Sequence, residues 1–165
     1  MDIIKLGKDS FKIKSKTGSV EIDPKGFTIE SLTGYSKSFQ GAGEYEVAGI
    51  SVLGISTEEG IVFIYEADNL RICHLGNLKK KLPESKVSLL GDIDILLVPV
   101  GQESIEMIQQ VESYYVIPFN YESEEILDKF LKESGLVVER NNKFSLKKEE
   151  IIEESPAQII VLEDR

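Results

Sequence analysis

Cys73 and His74 are adjacent, and Asp92 and Asp94 stand two apart; these pairs carry the most reactive side chains in the chain. A thiol beside an imidazole could serve as nucleophile and base, or the two could ligate one metal. Two carboxylates on one strand face could divide acid and base work. The local pattern argues against each reading. Leu70–Leu75 reads as a strand, and successive strand side chains point to opposite faces. Cys73 and His74 therefore cannot meet at one ion, and His74 is read as packed or hydrogen bonded. Cys73 is read as a small buried apolar residue. Asp92 and Asp94 lead into a buried apolar run and are read as solvated strand entry. Serines are plentiful, but no Gly-x-Ser-x-Gly elbow exists, and a triad would depend on the single histidine. Gly41–Glu46 (GAGEYE) leads into a β-like run where a dinucleotide loop needs a helix, so it is not a phosphate cradle.

Composition narrows the chemistry further. The 165 residues include one His, one Cys and no Trp. Zinc and iron sites draw several ligands from His and Cys, so no metal and no other cofactor is expected. One cysteine permits no internal disulfide, which suits a reducing cytoplasm. The net charge of −10 disfavours nucleic acid or an anionic membrane as partner, since both require clustered Lys and Arg. The one basic run, Lys79–Lys81, reads as a solvated loop. No apolar stretch reaches the ~20 residues of a membrane span, and Met1–Lys5 lacks the order of a secretory signal.

The elements that must position any site fall into two halves. From Ile3 to Leu75, short alternating runs separated by Gly, Asn and Asp predict strands: Ser10–Lys14, Ser19–Asp23, Phe27–Leu32, Tyr45–Val47, Ile50–Ile55, Ile61–Glu66 and Leu70–Leu75. From Pro83 the period changes. Pro83 fits a first helical position and Gly91 a stop; Ile93–Val98 is continuous enough for a strand covered on both faces. Glu103–Val111 has helical spacing, and Tyr114–Ile117 reads as a strand ended by Pro118. Glu122–Glu133 predicts a helix with acids at its positive end and Ile126, Leu127, Phe130 and Leu131 as its buried stripe, before a Gly135 cap. Glu149-Glu150 and Glu153-Glu154 read as a solvated helix face, and Gln158–Leu162 as a last strand. The expectation is one α/β domain spanning 1–165, a β-meander followed by βαβ units.

Three blocks occur in a distinctive order: Gly41–Ile50 (GAGEYEVAGI), Leu70–Leu78 (LRICHLGNL), and Gly91–Gly101 (GDIDILLVPVG) followed by Ile117–Tyr121 (IPFNY). Together with Ile4–Ile13 and Asp23-Pro24, this resembles the metallo-β-lactamase superfamily, in its ascorbate-6-phosphate-lactonase-like branch of zinc-dependent hydrolases. The resemblance covers nearly the whole chain and implies an αββα sandwich, here shortened.

The residues that resemblance would make functional are mostly replaced. The His-x-His-x-Asp-His metal loop should lie between Asp23-Pro24 and Gly41, but Lys25–Gln40 contains neither His nor Asp. The next histidine position is occupied by Ser56–Glu59. The bridging aspartate falls on Asn77, and the last histidine on Asn120; an early Gly-His-Ser has become Gly7-Lys8-Asp9-Ser10. Asp23 matches a supporting aspartate and, without its loop, is expected to cap a turn. His74 matches a histidine that is no principal ligand. Asp23, His74, Asn77 and Asn120 thus mark a degenerate former site, with Asn77 and Asn120 expected to approach one another at the ends of neighbouring strands. A metal-bound hydroxide requires anionic or imidazole ligands, and an amide is a poor substitute. The expected function is a catalytically inactive binding or assembly module, with a protein partner or a second copy of itself. The alternative is a hydrolase with a rebuilt, non-metal site. Phe27, Ile29, Leu32, Tyr35 and Phe39 either seal the vacated cleft or form a self-association surface.

Overall fold

The structure, a computed structural model, describes residues 1–164. The chain begins with five antiparallel strands: β1 (Asp2–Lys5), β2 (Phe11–Lys14), β3 (Gly18–Asp23), β4 (Gly26–Ser31) and β5 (Ser36–Phe39). Alternate residues Phe11, Ile13, Val20, Ile22, Phe27 and Ile29 are buried, while Lys14, Glu21 and Glu30 face solvent, the period of two expected of a half-covered sheet. A second meander follows: β6 (Gly43–Val47), β7 (Ile50–Thr57), β8 (Gly60–Ala67) and β9 (Leu70–His74). Asp68 and Asn69, with φ of 53° and 63°, make the two-residue turn between β8 and β9, whose twist matches that of the strands it joins.

Helices then alternate with strands: α1 (Glu84–Leu90), β10 (Ile95–Pro99), α2 (Ser104–Gln110), β11 (Tyr115–Phe119), α3 (Glu124–Ser134), β12 (Val137–Asn141), β13 (Phe144–Ser145) and β14 (Gln158–Leu162). Pro83 stands one residue before the predicted first helical position, at the N-cap of α1, where its extended ψ keeps it out of the helix and its carbonyl accepts the Lys86 and Val87 N–H groups. Pro118 does not end β11 but lies within it, opposite Val98. It is tolerated because pairing with β14 on the other side stops at Val116, so no donor is required of Pro118 there. The Ser123 hydroxyl accepts the Ile126 N–H at the start of α3, and Gly135 closes the helix in the left-handed conformation. Leu127 and Phe130 form the buried stripe; Ile126, predicted to join it, is 44% exposed because only one side of this helix meets the sheet. Glu149 and Glu150 sit in a single 3-10 turn, Lys148–Glu150, and Glu153-Glu154 lie in a turn, so neither pair is on a regular helix face.

The strands form two sheets, one of order β13-β1-β2-β3-β4-β5 and one of order β12-β14-β11-β10-β9-β8-β7-β6. One core lies between them, including Phe11, Phe27, Tyr65, Leu97 and Phe119. A second lies where Leu90, Met107, Leu127 and Phe130 of the helices cover Cys73, Leu96, Val98, Val116 and Ile159. Strand β10 is buried on both faces, Ile95 and Leu97 toward the first core and Leu96 and Val98 toward the second. Two packed sheets with helices behind the larger one make an α/β sandwich, as the resemblance implies. It is shortened on one side: among the described residues all three helices contribute to the core behind the larger sheet, and the polar outward residues of β2–β4 leave the smaller sheet needing no cover. Among the described residues, no helix is long and apolar enough to cross a membrane.

Candidate functional site

Strands β9, β10 and β11 run parallel, so their carboxyl ends open on the same edge of the sheet, where such folds bind ligands. His74 is the last residue of β9, opposite Phe63 of β8 and Leu97 of β10. Its ring is packed against Phe119, with centroids 4.7 Å apart, and edge-on to Phe11 at 5.9 Å. The chain turns back at once, and the Gly76 N–H donates to His74 Nδ1 at 3.0 Å. That turn needs a glycine: φ is 64°, and a Cβ would stand 3.2 Å from the Ile61 carbonyl oxygen. With Nδ1 accepting, the proton of the neutral ring is on Nε2, which is buried and has no partner among the described residues. Burial pushes the His74 pKa down to about 4, so the ring is neutral at neutral pH. Cys73 faces the helical side, as alternation requires, and burial pushes its thiol up to about 12. It is no nucleophile at neutral pH.

Asn77 and Asn120 come together. The Asn120 side-chain amide donates to Asn77 Oδ1 at 3.2 Å. They sit beyond β9 and β11, the two strands that flank β10, rather than at the ends of neighbouring strands. Asn120 has φ of 59°, a left-handed conformation that Asn tolerates better than most residues, and its N–H donates to the Lys8 carbonyl. The Lys8 ammonium in turn pairs with Glu122 at 2.7 Å. Asp23, at the end of β3, caps a turn: its Oδ1 accepts the Lys25 N–H at 2.7 Å and the Gly26 N–H at 3.0 Å.

A cleft of about 300 Å³ collects Asp9, Asp23, Lys25, Phe63, His74 and Asn77. An adjoining groove of about 740 Å³ shares Asp9 and Asn77 with it and extends to Gly101, Asn120 and Tyr121. Three of the four singled-out positions thus line one cleft, and Asn120 lines its continuation. The interval 25–40 has become the β4–β5 hairpin. Phe27 and Ile29 are buried, and half-buried Phe39 packs on Phe27 and Tyr45, while Leu32 and Tyr35 remain exposed.

A zinc ion needs three or more convergent imidazole, thiolate or carboxylate donors. Among the described residues no three such side chains converge. The one imidazole has Nδ1 occupied and Nε2 protonated, Asp23 Oδ1 is held by its own turn, and Asn77 and Asn120 bring neutral amides. These residues do not fit zinc, and no step through a metal is derived.

The Asp92–Asp94 pair departs from the expectation at one of its two members. Asp94 is not solvated strand entry: it is 3% exposed, accepting the Arg71 N–H at 2.8 Å and the Lys148 ammonium at 2.9 Å. The Arg71 guanidinium reaches the carbonyls of Leu90 and Asp92 and the Glu66 carboxylate. Asp92 itself is exposed. The available signal was a lone acid inside the apolar run Ile93–Val98, which burial obliges to be paired. This clamp sits at the amino end of β10, remote along the strand from the His74 cleft.

Residues 27–120 match the family described as the beta-lactamase superfamily domain. Among solved structures, a candidate Zn-dependent hydrolase of the metallo-β-lactamase superfamily from Thermotoga maritima superposes with a TM-score of 0.81 at 24% identity, covering 98% of each chain. A candidate metal-dependent hydrolase from Parabacteroides distasonis ATCC 8503 superposes at 0.54 with 11% identity, covering 96% of this chain and all of that one. At these identities the likeness is one of fold. No curated protein matches the sequence.

Proposed function

The chain belongs to the beta-lactamase superfamily, and we propose that it is a degenerate member of the ascorbate-6-phosphate-lactonase-like branch, a single cytoplasmic domain that binds rather than hydrolyses. The observation that carries this reading is the Asn77–Asn120 hydrogen bond, where the resemblance places two metal-binding side chains. Hydrolysis in such a site depends on a metal that brings the pKa of bound water to ~7. Two amides supply no charge to hold that metal, and they satisfy one another instead. Without a metal, a hydrolase needs a nucleophile and a base. Cys73 has its thiol pKa at about 12, and His74 faces the other side of the sheet. What persists is the cleft, with its acceptors and donors in place and a partner or small ligand as its business.

Metal analysis of protein purified without added metal or chelator tests this directly. Zinc and iron far below one atom per chain are expected, together with no turnover of lactone or phosphoester substrates after zinc is added. Stoichiometric zinc or iron overturns the reading.

A further inference from the structure

We infer that strand β6 is a docking edge for an extended basic segment of another protein, which adds antiparallel to Glu44–Glu46 with a lysine or arginine opposite each glutamate and an apolar residue between them. The inference concerns a sheet edge and is independent of what the former metal site binds. Strand β6 ends the larger sheet, with β7 on one side and no strand on the other. Ala48 and Gly49, with φ of 53° and 74°, form a two-residue turn, so Val47 and Ile50 are a hydrogen-bonded pair. Bonded and non-bonded pairs alternate along an antiparallel ladder. Gly43 and Tyr45 therefore also bond to β7, while Glu44 and Glu46 turn their N–H and C=O groups outward. Among the described residues those groups have no partner. Such a row is a template for a further strand.

The side chains select which strand. Tyr45 lies opposite Val52 in the core between the sheets, so Glu44 and Glu46 stand on the other face, beside Leu53. Both glutamates are exposed, and neither is in an ion pair among the described residues. Glu66 and Arg71 share a groove of about 310 Å³ with them but are already paired with each other at 2.9 Å. Leu53 and Ile64 line the same groove, an apolar surface for the methylene stem of a Lys or Arg whose charge reaches Glu44 and Glu46. On the face between the sheets, the residue between the two cations meets half-buried Tyr45, itself 4.6 Å from half-buried Phe39, which favours an apolar side chain. A second copy of β6 fails this test. Only Glu44 and Glu46 face outward, so every antiparallel register that pairs those residues sets glutamate against glutamate. The net charge of −10 steers a basic partner toward the chain.

The probe is acetyl-Thr-Lys-Val-Lys-Thr-amide, titrated against the full-length protein at low salt and followed by backbone amide NMR and hydrogen exchange. The expected result is saturable binding with a Kd of roughly 1 mM, the largest shifts falling on Gly43–Val47 and the Glu44 and Glu46 amides exchanging more slowly. Methylating the two lysine backbone nitrogens keeps the charge but removes the donors, and should weaken binding roughly tenfold. The analogue with Glu for both Lys should not bind. Glu44→Lys combined with Glu46→Lys, at exposed positions, should reverse the preference between the two peptides. Glu46→Gln, which keeps the side-chain shape, should by itself weaken the lysine peptide severalfold. Absence of saturable binding overturns the inference, as do shifts centred away from β6. Equal affinity for the N-methylated peptide would reduce the contact to charge alone and overturns it too. Self-association through β6 without peptide would assign the edge to a second copy instead.

Discussion

The Asn120 side-chain amide donates to Asn77 Oδ1 at 3.2 Å, across the carboxyl end of the strand that separates their own strands. The two residues are 43 positions apart, and the parallel arrangement of β9, β10 and β11 brings them into contact. Because both side chains are accessible, the bond itself contributes little more than ~1 kcal/mol. The backbone at Asn120 matters more.

With φ at 59°, position 120 favours Asn or Gly and penalises a β-branched residue. Asn120→Gly should leave stability within ~1 kcal/mol of wild type, whereas Asn120→Val should lose about 2 kcal/mol from strain and the missing hydrogen bond. Urea denaturation reads both. Equal losses from the two substitutions would contradict the left-handed assignment.

His74 links stability to pH. Its pKa falls from an ordinary 6.5 to about 4 in the folded chain, so below pH 6.5 the unfolded state takes up the proton more readily. Stability is therefore complete above pH 6.5, declines as pH falls toward 4, and then levels off. The full loss is about 3 kcal/mol. His74→Phe should lack this component while keeping the carboxylate contributions. A folded-state imidazole NMR titration with its midpoint near 6.5 would refute the burial argument.

Asp94 and Lys148 should respond unequally to mutation. Asp94 is 4% exposed at its side chain and Lys148 51%, although they form one ion pair at 2.9 Å. Asp94→Asn leaves an acceptor for the Arg71 N–H but removes the buried charge, and should cost about 1–3 kcal/mol. Lys148→Met loses only a half-exposed partner and should cost about 1 kcal/mol or less. Chemical denaturation of the two single variants measures the difference.

Phe39 and Tyr35 are on the same hairpin but do different jobs. Phe39 packs on Phe27 at 5.4 Å and Tyr45 at 4.6 Å, so Phe39→Glu should destabilise by about 2 kcal/mol and lower the melting temperature. Tyr35 is 57% exposed, and Tyr35→Glu should change stability by no more than ~0.5 kcal/mol. Light scattering on the same samples reads any change of oligomeric state. Self-association through this hairpin would show as a dimer that Tyr35→Glu converts to a folded monomer.

Much of this was legible in the chain alone. Alternating runs such as Phe11–Lys14 and Ser19–Asp23 specify strands because burial on one face selects every second side chain. Opposite facing of Cys73 and His74 follows from the same geometry, and the turn cap at Asp23 is the one expected from the resemblance once the metal loop is missing. The scarcity of imidazole and thiolate, one His and one Cys, is a matter of composition, whereas the failure of the many carboxylates to converge among the described residues is not. What the chain could not specify were relationships between distant segments. Whether Asp94 meets water or Lys148 depends on where the tail passes 54 residues later, and whether Pro118 ends β11 depends on where β14 stops pairing. The exposed valines of β12 gave no alternating signal because that strand lies at the sheet edge, covered on neither face. The unpaired Nε2 of His74 is likewise a tertiary fact: it takes Gly76 turning back onto Nδ1, and Phe11 and Phe119 closing on the ring, to leave one donor with no acceptor among the described residues.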